Sequence, residues 1–283
     1  MTALLRIEDL SLGIRTEQGT TPILRGVNLE IEAGKVQGLA GESGSGKTML
    51  GLTIVGLEPT TAITTGQIWF GATDLLALTG KALNPIRGRR IAMIFQDPST
   101  ALHPQLTVER QLTDHMRYHL KVSRIESRRR AEELLDRVGI AQAKASLSRY
   151  PHEFSGGQRQ RIAIACALAC GPELLIADEP TTALDVTVQA GILALVRELV
   201  DSLGLTVLFI THDLGVMSAV ADRVAIMRAG EIVEAGPRDQ VFLRPDHDYT
   251  KSLLAALPGA VGGLQTRDDL ARLGGIKGGE PHE

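Results

Sequence analysis

The residues best suited to chemistry fall in three short runs. In "GESGSGKT", residues 41–48, glycines at 41, 44 and 46 precede Lys47 and Thr48. The run fits G-x-x-x-x-G-K-[ST] at every fixed position. Glycines let a backbone wrap an anion without Cβ clashes, so the N–H groups of Gly41, Glu42, Ser43, Gly44, Ser45 and Gly46 can turn toward phosphate oxygens. The helix that begins there adds the positive end of its dipole. Lys47 then reaches the β- and γ-phosphates, and the Thr48 hydroxyl ligates Mg²⁺. The second run, "LLIADEP" at 174–180, is a buried-strand pattern ending in two carboxylates. Asp178 suits a Mg²⁺ ion, and Glu179 can take a proton from an attacking water. Alone, adjacent carboxylates after a strand read as a solvated strand end; a phosphate loop in the same chain favours the chemical reading.

The third run, "FSGGQRQR" at 154–161, is the puzzling one. Ser155, Gly156, Gly157 and Gln158 open a polar helix, which is a second ready anion site. One nucleotide cannot use two full cradles, so this loop makes sense if it serves a nucleotide held by a partner chain. Two further polar residues follow apolar strand patterns, Gln96 in "IFQDP" and His212 in "FITHD". Ligands of open α/β sheets lie at carboxyl strand ends. Singly, each residue is as well explained by an ordinary hydrogen bond; their joint placement carries the weight.

These groups need strands and helices to hold them. "LLRIEDL", "GVNLEIEAG" and "KVQGLAG" read as strands broken by glycine turns, the last running into the phosphate loop and then an apolar helix. "GQIWF" and "RRIAMIFQD" are two more strands. From about 97 to 165 the pattern is helical, with Leu134, Leu135 and Val138 forming an apolar stripe. β/α alternation returns after 172 with "ELLIADE", a helix through "VQAGILALVRELVDSLG" and the strand "TVLFITHD". "DRVAIMRAGEIVEAG" reads as a closing hairpin. The Gly-rich tail, 260–283, is expected to be loosely ordered apart from a helical piece around "RDDLARL". The expectation is an α/β core over 1–259 with an N-terminal antiparallel β part and an inserted helical part.

Composition narrows the class. A chain of 283 residues with 43% hydrophobic residues can bury a substantial core. A net charge of -3 argues against nucleic acid as a partner. The longest uncharged apolar stretch, "IAIACALAC" at 162–170, falls short of the roughly 20 residues a membrane span needs. "MTALLRIEDL" lacks the pattern of a signal peptide, so a cytoplasmic location is expected. Cys166 and Cys170 stand one helical turn apart without further ligands and read as small buried side chains in a reducing compartment.

Taken together, these motifs resemble the nucleotide-binding subunits of ATP-binding cassette (ABC) transporters. The resemblance spans roughly residues 4–257, with phosphate loop, Gln96, signature at 155–159, "LLIADE", "TALD" at 182–185 and His212 in the family's order. The family's signature begins Leu-Ser-Gly-Gly-Gln; here Phe154 replaces the leucine. The implied fold is an α/β P-loop NTPase of the ABC type. In that family two subunits face head to tail and sandwich two ATP, each with Mg²⁺. The resemblance therefore implies that Ser155, Gly156, Gly157 and Gln158 cap the partner's ATP and that Asp185 lines the subunit interface. It implies that His212 contacts the γ-phosphate and orients the water, and that Gln96 links Mg²⁺ and water to the helical part that touches the membrane protein. The family stacks adenine on an aromatic residue; aligning "IEDLSLGI" puts Ile14 there. Either adenine packs on aliphatic surface or another residue serves.

Within the family, "FQDPSTALHP", "RYPHEFSGGQRQRIAIACALACGPELLIADEPTTALDVTVQ" and "HDYTKSLLAALP" resemble the ATPases of oligopeptide, dipeptide and nickel importers. Many of those carry an iron–sulfur cysteine cluster near the end, and this chain has no cysteine after Cys170. The resemblance implies a second, different ATPase subunit, two transmembrane permease subunits and a solute-binding protein, with this chain on the cytoplasmic face of the membrane. Peptide is the expected solute. A nickel or metal-chelate importer and a non-transport accessory subunit of the phosphonate-degradation type are the alternatives. DNA-repair and translation-factor ATPases of this family usually fuse two cassettes or insert extra modules, which this chain lacks; plain nucleotide switches lack the signature loop.

Overall fold

A computed structural model describes residues 3–96, 101–182 and 184–257. Asp97–Thr100 of "FQDPSTALHP", Ala183 of "TALD" and the tail with "RDDLARL" lie outside the described residues. The strands among the described residues are β1 (Ala3–Thr16), β2 (Gly19–Glu32), β3 (Val36–Ala40), β4 (Ala62–Phe70), β5 (Thr73–Asp74), β6 (Ile91–Ile94), β7 (Leu174–Asp178), β8 (Thr206–Thr211), β9 (Arg223–Arg228) and β10 (Glu231–Pro237). The chain divides into two compact units, Met1–Leu78 with Val196–Glu283, and Thr79–Leu195.

The first unit holds an antiparallel sheet of order β2-β1-β4-β5 and the strand run β10-β9-β3-β8. β1 does not end at Leu10 with "LLRIEDL", as the sequence reading has it. It continues through Gly13 to Thr16 and pairs with β2 along nearly its whole length, Leu5 opposite Ile31 and Thr16 opposite Gly19. Its buried residues are Leu5 and Ile7, then Leu10 and Leu12. A two-residue period would break between 7 and 10, but the register shifts there and Asp9 takes a φ of 46°. One added residue in the strand turns the apolar face back inward. The Asn28 side-chain oxygen accepts the displaced Asp9 N–H at 3.0 Å.

β3 runs parallel to both β8 and β9, while β10 folds back antiparallel on β9. Every residue of β3 and β8 is buried. Continuous burial suits parallel strands covered on both faces, and it accounts for the largely apolar runs "VQGLA" and "TVLFIT", in which even Gln37, Thr206 and Thr211 are buried.

The second unit pairs β6 with β7 in parallel, Ile94 opposite Ala177. Its helices include Val108–Leu120, Arg124–Arg137 and Gly156–Leu168. Val108, Leu112 and Met116 form the buried stripe of the first, and Ala131, Leu135 and the C-capping Val138 that of the second. The period is helical as expected, but Leu134 is only half-buried and Ala131 takes its place in the stripe. Thr107 and Ser123 cap these helices by accepting the N–H groups of Arg110 and Glu126.

Candidate functional site

In the first unit the phosphate loop leaves the carboxyl end of β3. Gly41, Gly44 and Gly46 take φ values of 152°, 79° and 108°, which glycine alone adopts without strain. Space adds a second demand at Gly41, where a Cβ would stand 2.1 Å from the Met227 carbonyl oxygen. At Gly46 it would meet Leu24 Cδ2 at 3.0 Å and the Ile23 carbonyl at 3.2 Å. Helix Lys47–Ile54 starts on Gly46, which brings no side chain to cap it. Glycine-enforced backbone around a bare helix start fits a phosphate group.

Lys47 is buried at 6% exposure, and its ammonium donates to the Gly41 and Glu42 carbonyls at 2.8 Å each and to Ser45 Oγ at 3.4 Å. The loop thus holds its cation over its own rim. Glu42, Ser43, Gly44 and Thr48 are exposed. His212 follows β8, whose last residue, Thr211, pairs with Ala40. The pairing sets His212 and Gly41 at neighbouring strand ends, and His212 is exposed. Asp213 beyond it caps the next helix by accepting the Val216 N–H at 3.1 Å. Ile14 is half-buried on β1, opposite Thr21 and Ala62.

Two supports of the loop escaped the sequence reading. The β9–β10 turn sends the Gly230 N–H to the Ser45 carbonyl at 2.9 Å. From helix Asp248–Ala255, the buried Tyr249 hydroxyl accepts the Glu42 N–H at 3.4 Å, and the Arg228 guanidinium lies 4.6 Å over its ring. The tyrosine of "HDYT" marks the helix in the sequence, but no local pattern tells which loop it meets.

In the second unit β6 and β7 bring Gln96, Asp178 and Glu179 to one end. Asp178 is buried at 2% exposure. Glu179 takes a φ of 46°, an uncommon conformation for a residue with a side chain, directly after the strand. Its Oε2 accepts from Gln96 Nε2 at 2.8 Å and from Thr182 Oγ1 at 2.9 Å. In the sequence Thr182 stands only as the first residue of "TALD", with no role of its own.

The signature loop is also organised within the chain. Ser155 Oγ accepts the Gln158 N–H at 3.3 Å, and Gln158 Oε1 accepts the Ser155 N–H at 3.0 Å. This reciprocal capping box opens helix Gly156–Leu168. It uses the acceptor side of the serine and leaves its hydroxyl proton for another oxygen. Phe154 is buried beneath the Arg149 guanidinium, 4.2 Å from the ring centre, so the aromatic replacement anchors the loop. Asp185 Oδ1 accepts the Val188 N–H at 3.0 Å, capping helix Val186–Leu203. Cys170 is buried and Cys166 partly so; burial pushes their thiols up to about 11 and about 12. No cluster of three or more potential metal-ligating side chains among His, Cys, Asp and Glu occurs among the described residues, and no described helix is long and apolar enough to cross a membrane.

Comparison with known proteins gives a consistent picture. Residues 24–182 match the family described as ABC transporter. The oligopeptide transport ATP-binding protein OppD of Bacillus subtilis is 47% identical over 260 residues, covering 91% of this chain and 73% of that protein. The dipeptide transport ATP-binding protein DppD of the same organism is 46% identical, covering 91% of this chain and 78% of its own. Among solved structures, a dimeric ATP-binding cassette in a post-hydrolysis state, bound to ADP and Pi, superposes with a TM-score of 0.73 at 30% identity. It covers 83% of this chain and 98% of that one.

Proposed function

The chain belongs to the ABC transporter family, and from that premise we propose that it is the ATP-hydrolysing subunit of an importer carrying peptides across the cytoplasmic membrane. It binds ATP with Mg²⁺ and converts ATP and water to ADP and phosphate. The observation that carries this reading is the glycine-enforced cradle closed around Lys47 at the carboxyl end of β3. The peptide assignment is supported by relatives at 46–47% identity that are named for oligopeptide and dipeptide transport.

Lys47 and the backbone of residues 41–46 hold the β- and γ-phosphates, apart from the N–H groups of Glu42 and Ser45, which go to the Tyr249 hydroxyl and the Glu42 carbonyl. Thr48 of the first unit and Asp178 and Gln96 of the second are the residues that would hold Mg²⁺, and the ion would neutralise charge on the phosphoryl oxygens. Glu179 accepts a proton from the water that attacks the γ-phosphorus, and the bond to the leaving ADP oxygen breaks with its electron pair passing to ADP. His212 orients that water. Ser155 donates its remaining hydroxyl proton, beside the N–H groups of Gly156 and Gly157 and with Gln158, to a nucleotide held by a second ATPase subunit; Asp185 lines the interface between the two. Ile14 and its aliphatic neighbourhood receive the adenine.

The full system contains a second, different ATPase chain, two permease subunits and a solute-binding protein, with this chain peripheral on the cytoplasmic face. Vesicles reconstituted with the complex test the reading. ATP-dependent uptake of a labelled oligopeptide, lost with Lys47→Ala, is expected. Uptake of a nickel chelate but no peptide would overturn the solute, and purification without any membrane subunit would overturn the importer.

A further inference from the structure

Glu179 is gripped at one oxygen by two donors of very different origin. Gln96 reaches it from 83 residues away, on a side chain that is itself exposed. Thr182 reaches it from within the same turn, three residues on, where the Thr182 N–H also donates to the Glu179 carbonyl at 3.2 Å. Both hydrogen bonds converge on one carboxylate oxygen of a residue held at a φ of 46°, and so they help set the direction in which that carboxylate faces.

We propose that Thr182 is a positioning residue for hydrolysis, holding the Glu179 carboxylate in the orientation that receives the water's proton. The inference rests on the proton-acceptor role given to Glu179 above. The two donors divide the work. The donor on Gln96 comes from the end of a different strand, whereas the hydroxyl on Thr182 belongs to the same turn as the Glu179 it holds. The turn and the hydroxyl together therefore make a local cradle for the base, built from "EPTT" alone.

The test is steady-state and single-turnover ATP hydrolysis by the assembled transporter carrying Thr182→Val, Thr182→Ser, Glu179→Gln and the Thr182→Val/Glu179→Gln double change. Thr182→Val keeps the shape and removes the donor, and it should lower kcat about 10- to 100-fold, the size expected when a hydrogen bond to a charged group is lost. The KM and the equilibrium affinity for ATP should stay within about twofold, because no phosphate contact changes. Thr182→Ser should recover most of the rate. In the Glu179→Gln background, Thr182→Val should cost nothing further, since the group it aims is already disabled. Thr182→Ala serves in place of the valine variant if that one does not assemble. A parent-like kcat for Thr182→Val beside a collapsed Glu179→Gln overturns the role of Thr182 alone. A loss that serine fails to rescue, or that adds in full to Glu179→Gln, also overturns it. Near-parent turnover by Glu179→Gln instead removes the proton-acceptor assignment beneath it.

Discussion

Gly157 lies hard against Val188: a Cβ on that glycine would stand 2.5 Å from Val188 Cγ1, whereas one on Gly156 would meet nothing within 4 Å. The two signature glycines thus answer to different constraints. Gly156 leaves open space at the helix start, and Gly157 admits the helix that Asp185 caps.

Stability should separate them. Gly157→Ala forces a stiff β-branched neighbour to move, and overpacking of this kind costs about 1–3 kcal/mol. Thermal unfolding should show a fall of several degrees, recovered when Val188→Ala is added. Gly156→Ala should leave the melting temperature unchanged or slightly raised. Equal destabilisation by both changes would contradict the packing account.

The thiols give a pH prediction. Burial holds Cys166 at about 12 and Cys170 at about 11, above the value of about 8.5 for a free thiol. Raised folded values mean that the unfolded chain loses its protons first as pH rises. Stability from these groups is therefore full below about pH 8.5 and declines above it, by up to about 1.4 kcal/mol per pH unit for each thiol, until the folded values are reached. Denaturant unfolding at pH 8 and pH 10 should show the fall, and replacing both cysteines with alanine should flatten it. Maleimide labelling at pH 8 should be slow in the native protein and fast in denaturant.

Ser155→Arg tests the use of the signature by a partner chain. The change removes a helix cap worth about 1 kcal/mol and adds bulk facing outward from the helix start. Lys47 and Thr48 are untouched, so ATP affinity of the isolated chain should match the parent, while Lys47→Ala should abolish binding. Turnover of the assembled complex should fall with either change. Equal loss of ATP binding by the isolated Ser155→Arg chain would mean that the loop acts on its own nucleotide.

Much of this was legible in the sequence because it is local. Gly41, Gly44 and Gly46 announce positive φ, and the unbroken run 174–178 announces a buried strand with Asp178 at its end. The full length of the β1–β2 hairpin was not legible, since the sequence reading stopped the first strand at Leu10, short of Gly13. The glycine is there for closeness: a Cβ would stand 2.5 Å from Thr20 Cγ2 across the hairpin. The supports of the site were hidden for a related reason. Gly230 reaches Ser45 and Tyr249 reaches Glu42 across about two hundred residues, and no periodicity encodes such pairings. Thr182 was hidden differently, since its hydroxyl matters only because Glu179 turns to a φ of 46°.

The most direct measurement is single-turnover ATP hydrolysis by Glu179→Gln in a complex whose other ATPase subunit is itself disabled. Glutamine keeps the side-chain shape and leaves Lys47, Thr48 and Asp178 in place, so ATP affinity should stay close to that of the parent. Loss of the proton acceptor should lower the hydrolysis rate by about 10²- to 10⁴-fold. Hydrolysis near the parent rate, with ATP bound as before, would contradict the assignment of Glu179 and the reaction built on it.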